Sequence, residues 1–241
     1  MEMPAALALP SSLAQHPAAD AQASAVALAA FIAGTLERAL QSRAQASLLL
    51  SGGRSPVPMF AALSRYPFDW SRVTIGLVDE RCVPPGSEAS NARLVREHLL
   101  QHRAAAARFV PLYEPGLDPE AAAAHAERTL DAFTTPFDAV VLGMGDDGHT
   151  ASLFPGAAGT AAGLDPQQPR RVVATHPVGA PHARLSLTLR ALLASRVLVL
   201  AISGTGKCRV LEAAADADPA HLPIAAFVQQ TQVPLHVFFS R

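Results

Sequence analysis

Residues 137–155 read FDAVVLGMGDDGHTASLFP and set a histidine and two adjacent aspartates in a glycine-rich turn behind an apolar run. An imidazole changes charge near neutrality, so His149 is suited to taking a proton from water or substrate. Of the nine histidines it is the one inside a glycine-rich loop that follows an apolar run. Asp147, two residues earlier, can orient the ring. Glycines let the backbone turn sharply and expose its N–H groups. Proton transfer on a sugar or phosphate substrate is the chemistry this set suits. A polar turn with a surface histidine is the plainer alternative.

Three more polar segments follow apolar runs. In SGGRSP (51–56), Ser51, Gly52, Gly53, Arg54 and Ser55 lead into a helix start, and such N–H groups favour an anion. An ordinary turn capped by Ser55 has the same composition. In SGTGK (203–207), glycines again allow close approach, and Lys207 offers a compact ammonium for a phosphate oxygen. Lys207 is the single lysine among 19 basic residues, which fits either a specific task or chance within an arginine-rich composition.

The fourth segment is DER (79–81). Asp79 can bind substrate hydroxyls and Arg81 can neutralise negative charge. Equally, Asp79 or Glu80 can pair with Arg81 or cap a turn. Ser87, Ser90 and Asn91 follow as caps or further ligands. No pair of histidines has zinc-like spacing with a carboxylate, and Ser152 lies outside a GxSxG elbow, so neither a metal nor a serine nucleophile is expected.

Apolar, β-branched runs at 46–51, 72–79, 138–143 and 196–203 read as buried strands, and these four end in the polar segments above. Weaker strands are expected at 108–111, 171–175 and 184–189, and a final one at 235–240. Helices are expected at 21–41, 56–65, 90–100, 118–133, 207–215 and 223–230, with Ser55, Ser90 and Asp118 as N-caps. Residues 1–20 read as a loose leader. Alternating strands and helices predict an α/β, Rossmann-like fold: a mostly parallel sheet with helices on both faces, forming a single domain over 1–241. In such a sheet the carboxyl ends of the strands share an edge, so the four polar segments converge there.

Half of the 241 residues are apolar and the formal net charge is −1, with basic residues scattered. That supports a sizeable core and argues against a nucleic-acid partner. Cys82 and Cys208 lack metal-ligand spacing and suggest no disulfide framework, which points to a reducing cytoplasm. The apolar stretch 23–36 has no Lys or Arg before it and is short for a bilayer span. It is expected to be a buried first helix, with no membrane partner.

SGGRSP, DERCVPPGSEASN, LGMGDDGHTASLFP, ARLSLTL and SGTGK occur here in the order found in the 6-phosphogluconolactonase family, which the chain resembles from about residue 46 onward. Ser55 stands where that family usually has threonine; the hydroxyl is kept. The resemblance implies hydrolysis of 6-phospho-D-glucono-1,5-lactone to 6-phosphogluconate without a cofactor, on a Rossmann-like fold shared with glucosamine-6-phosphate deaminases. It implies His149 as general base, Asp147 as its support, and a 6-phosphate held by Ser51–Ser55, Arg184 and Lys207. Arg81 would meet the phosphate or the carbonyl. Asp79 and Asn91 would contact hydroxyls or brace the site, and Gly145 counts among the substrate-binding residues. A small phosphorylated lactone is then the partner, and the protein a monomer or homodimer. A glucosamine-6-phosphate deaminase, or a non-catalytic sugar-phosphate sensor, are the competing readings.

Overall fold

The computed structural model describes residues 4–241. Its strands in chain order are β1 (Ala14–Pro17), β2 (Ala46–Leu50), β3 (Val73–Leu77), β4 (Asp79–Arg81), β5 (Arg108–Phe109), β6 (Ala139–Leu142), β7 (Val172–Thr175), β8 (Arg184–Leu187), β9 (Leu198–Ser203) and β10 (Leu235–Ser240). The α-helices are α1 (Ala21–Ser42), α2 (Val57–Leu63), α3 (Asn91–His98), α4 (Pro119–Thr129), α5 (Thr160–Leu164), α6 (Leu189–Leu193), α7 (Thr205–Ala213) and α8 (Ala225–Gln229).

Seven strands form a sheet in the order β1-β10-β9-β6-β2-β3-β5, and every neighbouring pair in it is parallel. From β2 the chain moves outward to β3 and β5. It then returns to the opposite side of β2 to lay down β6, and continues through β9 to β10. The order therefore reverses between β2 and β6, where an open α/β sheet leaves a crevice outside its carboxyl ends.

Burial explains the centre of this sheet. All five residues of β2 are buried, and Leu48, Leu49 and Leu50 are 0% exposed, as a strand covered by helices on both faces requires. Truncating one of them to alanine is expected to cost roughly 2–5 kcal/mol. Helix α1 starts at Asp20, whose carboxylate accepts from the Ala23 amide at 2.7 Å. Its 22 residues, with a mean hydropathy of 1.4 over the most apolar stretch, are by length and composition enough to cross a membrane, as the apolar run 23–36 alone is not. Here Leu28, Ile32 and Leu36 lie in the core beside the sheet.

Four expectations need correction. The supposed leader holds β1, which pairs in parallel with β10, and Leu7 and Leu13 ahead of it are buried; residues 1–3 lie outside the described residues. Ser55 does not cap α2: that helix starts at Val57 behind Pro56 and has no side-chain cap. The strand anticipated over 72–79 stops at Leu77, because the chain changes sheets at Val78 and DER becomes β4. Finally, β4, β8 and β7 make a separate three-stranded antiparallel sheet.

Candidate active site

The loops behind β2, β6 and β9 and the strand β4 meet around one cavity of about 670 Å³ at the β2/β6 crevice. Ser51, Gly52, Gly53, Arg54, Ser55, Asp79, Arg81, Asn91, Gly145, His149, Arg184 and Lys207 all line it. Asp147 stands behind the ring of His149 instead of on the wall.

The imidazole is held from two sides. Nδ1 of His149 lies 2.6 Å from Oδ1 of Asp147. A carboxylate can only accept, so Nδ1 carries the proton and Nε2 is left as a base. The same carboxylate accepts the His149 amide at 3.1 Å, which closes a tight local turn. The ring of Phe154 stacks on the imidazole with centroids 3.9 Å apart and planes 23° apart. Gly145 lines the cavity, and its N–H donates to the His149 carbonyl at 2.9 Å and braces the loop.

Cations gather around the same space. Lys207, in the first turn of α7, donates from Nζ to the Met144 carbonyl at 2.7 Å, which puts the ammonium beside the histidine loop. Arg81 and Arg184 are directly paired residues of β4 and β8. Like charges opposite one another across strands repel, an arrangement that an anion between them relieves. Burial, and then the nearby Arg81, hold the Arg184 guanidinium below its ordinary value. Arg184 also lies over the Phe154 ring, 5.8 Å from its centroid. Arg81 donates to the Ala89 carbonyl at 2.6 Å, while its buried Nε has no partner among the described residues.

The glycine loop is built for backbone approach. Gly52 packs against Asn91 so closely that a Cβ would lie 1.8 Å from the amide oxygen. Across the crevice, the Ser51 hydroxyl accepts from the Gly143 amide at 3.1 Å and joins the β2 and β6 loops. The amides of Gly53, Arg54 and Ser55 make no hydrogen bond within the described residues.

Asp79 and Asn91 brace this frame. Asp79 accepts from the Ser152 hydroxyl at 2.6 Å, and the Asn91 amide donates to the Asp79 carbonyl at 2.9 Å. Glu80 makes no ion pair with Arg81. It is buried and accepts from the amides of Asn91 and Ala92 at 2.8 and 2.7 Å, which fixes the start of α3. Burial raises its carboxyl above the usual range, and those amides act against the rise.

Burial, with Glu80 and Glu120 nearby, also pushes the Cys82 thiol up to about 11, so it is a thiol and not a thiolate at neutral pH. Among the described residues, no three His, Cys, Asp or Glu side chains are grouped to hold a metal. Phe154 and Ser152 were missed as parts of the site, although both lie in the histidine motif. The apolar wall from Leu28 and Met59 was missed too, and in sequence it carries no signal beyond core composition.

The sequence model described as "Glucosamine-6-phosphate isomerases/6-phosphogluconolactonase" matches residues 19–236. A 6-phosphogluconolactonase of Pseudomonas aeruginosa is 46% identical over 224 residues, covering 92% of this chain and 94% of that protein. The crystal structure of a 6-phosphogluconolactonase from Shewanella baltica superposes with a TM-score of 0.92 at 42% identity, covering 95% of this chain and 98% of that one. A monomeric glucosamine-6-phosphate deaminase, at 18% identity and a TM-score of 0.78, is similar in fold alone.

Proposed function

The chain belongs to the glucosamine-6-phosphate isomerase/6-phosphogluconolactonase family, and we propose that it hydrolyses 6-phospho-D-glucono-1,5-lactone to 6-phospho-D-gluconate with His149 as the general base. The observation that carries this reading is the single cavity that takes an Asp147-supported imidazole together with Arg81, Arg184 and Lys207.

A lactone is an activated ester, so hydrolysis needs a deprotonated water and a held substrate, with no covalent nucleophile. His149 Nε2 takes a proton from water as its oxygen attacks the lactone carbonyl carbon. The tetrahedral intermediate then collapses, the ring C–O bond breaks, and the imidazolium returns the proton to the departing alkoxide. Asp147 keeps the proton on Nδ1 throughout. Such general-base help is worth about 100- to 10,000-fold.

The phosphate binds at the free amides of Gly53, Arg54 and Ser55, with Lys207 and Arg184. Because Arg81 is the cross-strand neighbour of Arg184, it serves the same anion. Asp79 and Asn91 hold the frame. Binding far from the reacting carbon orients the lactone for attack. This reading places the reaction in the oxidative pentose phosphate pathway of the cytoplasm, with one domain sufficient for it.

The test is a coupled assay on freshly generated 6-phosphogluconolactone, corrected for spontaneous hydrolysis. Enzyme-dependent formation of 6-phosphogluconate supports the assignment. Ammonia released from glucosamine-6-phosphate, with no lactone turnover, would transfer it to the deaminase branch. Tight lactone binding without turnover would make the protein a sensor.

A further inference from the structure

A second, open cleft of about 480 Å³ lies at the amino edge of the parallel sheet, the side opposite the catalytic loops. Its walls come from the last turns of α1 and from the residues that lead into β6, β9 and β10. Three arginines line it, Arg38, Arg43 and Arg196. One carboxylate, Asp138, stands among them and is already engaged. It accepts from the Ser47 amide at 2.8 Å, pairs with Arg43, and lies 3.4 Å from Nε of Arg196.

The charge does not balance. Two of the three arginines share a single buried anion, and the Arg38 guanidinium bonds only to the Thr35 hydroxyl, at 3.2 Å, among the described residues. Two positive charges are left over in a concave site on a chain whose formal net charge is −1. Helix capping does not account for the excess. Arg72 already takes the terminal carbonyls of α1, donating to Leu40, Arg43 and Ala44 at 2.9, 2.6 and 2.8 Å. His236, on the cleft wall, is held towards its neutral form by burial and by His16. The excess therefore belongs to the arginines.

We propose that this cleft is a second anion site, which takes the phosphate group of a small phosphorylated molecule. A guanidinium is planar and presents paired N–H donors that match phosphate oxygens. A dianion offsets both unbalanced charges, whereas a single carboxylate offsets one. Phe31 and His236, whose rings pack against each other with centroids 4.5 Å apart, line the same cleft and can be touched by the rest of such a molecule.

Inorganic phosphate is the probe, followed residue by residue with NMR amide shifts on the full chain, with chloride at equal ionic strength as control. Because phosphate also reaches the catalytic cavity, Gly53 reports that site, and Arg43, Val197 and His236 report the cleft. The expected result is a saturable shift of the cleft amides with its own midpoint, kept in Lys207→Ala. Arg38→Gln with Arg196→Gln should abolish it or weaken binding about tenfold or more, with Gly53 still responding. Arg38→Gln alone, at an exposed position, gives the same direction should the double variant fold poorly. Cleft shifts that chloride reproduces, that never saturate, or that survive both variants unchanged would overturn the site.

Discussion

Gly145 sits directly against the ring of His149: a Cβ added at position 145 would lie 2.2 Å from Nδ1 and 2.5 Å from Oδ1 of Asp147. The glycine leaves the space in which the imidazole and its carboxylate meet. Both crowded atoms belong to side-chain ends, so they can move aside without unfolding the loop. Gly145→Ala is therefore expected to lower kcat by about 100-fold, the scale of a displacement near 1 Å at a catalytic group. Circular dichroism and melting temperature should stay close to the parent. A Gly145→Ala enzyme with parental kcat would show that the His149–Asp147 contact is not needed for turnover.

Removing the base and removing the anion grip should split the kinetic constants. His149→Ala should lower kcat by about 100- to 10,000-fold with little change in KM. Lys207→Ala should raise KM by about tenfold or more, because it removes a charge-assisted bond to the phosphate. Steady-state kinetics on the lactone check both, and the opposite split would exchange the roles given to the two residues.

Phe154 is expected to act on turnover through the ring it covers. Its stack on His149, at 3.9 Å, covers one face of the imidazole while Asp147 holds its edge at Nδ1. Phe154→Leu keeps an apolar side chain and loses the flat contact, so kcat should fall by up to about tenfold, with KM much less affected. Phe154→Tyr keeps the stack and should restore the rate. Equal loss in both variants would assign Phe154 to packing alone.

Stability should respond to pH through a pair at the far edge of the sheet. Nε2 of His16 and Nδ1 of His236 are 2.9 Å apart, and burial lowers the pKa of both from the ordinary value of 6.5. A histidine with a lowered folded value binds fewer protons in the native state than in the unfolded one. Stability is then full above about 6.5 and is lost as pH falls from there through the folded values. Urea unfolding at pH 7.5 and pH 5.5 should show a smaller pH-dependent loss in His16→Phe than in the parent. An identical loss would place the acid sensitivity elsewhere.

Much of the site was legible because its parts lie close together in sequence or end regular strands. His149 and Asp147 are two residues apart, and the runs before Ser51, Gly143 and Ser203 are apolar enough to read as buried strands. Strand β1 was not legible. It is only AQHP, half-buried and closed by a proline, and its partner β10 lies more than 200 residues away. The switch of sheets at Val78 also left no mark, since that residue is as apolar and buried as those before it. Leu28 and Met59 read as core because a cavity wall and a core ask for the same side chains.

The bond from the Gly143 amide to the Ser51 hydroxyl, 3.1 Å long, ties the loop that carries His149 to the glycine loop behind β2. With those two pieces pinned, the span between them becomes a ruler for the molecule that enters. On the proposed function, a phosphorylated lactone with fewer carbons between its two functional ends is expected to reach one mark and miss the other. Under that proposal, discrimination by chain length comes from the frame itself, before any individual hydroxyl has been recognised.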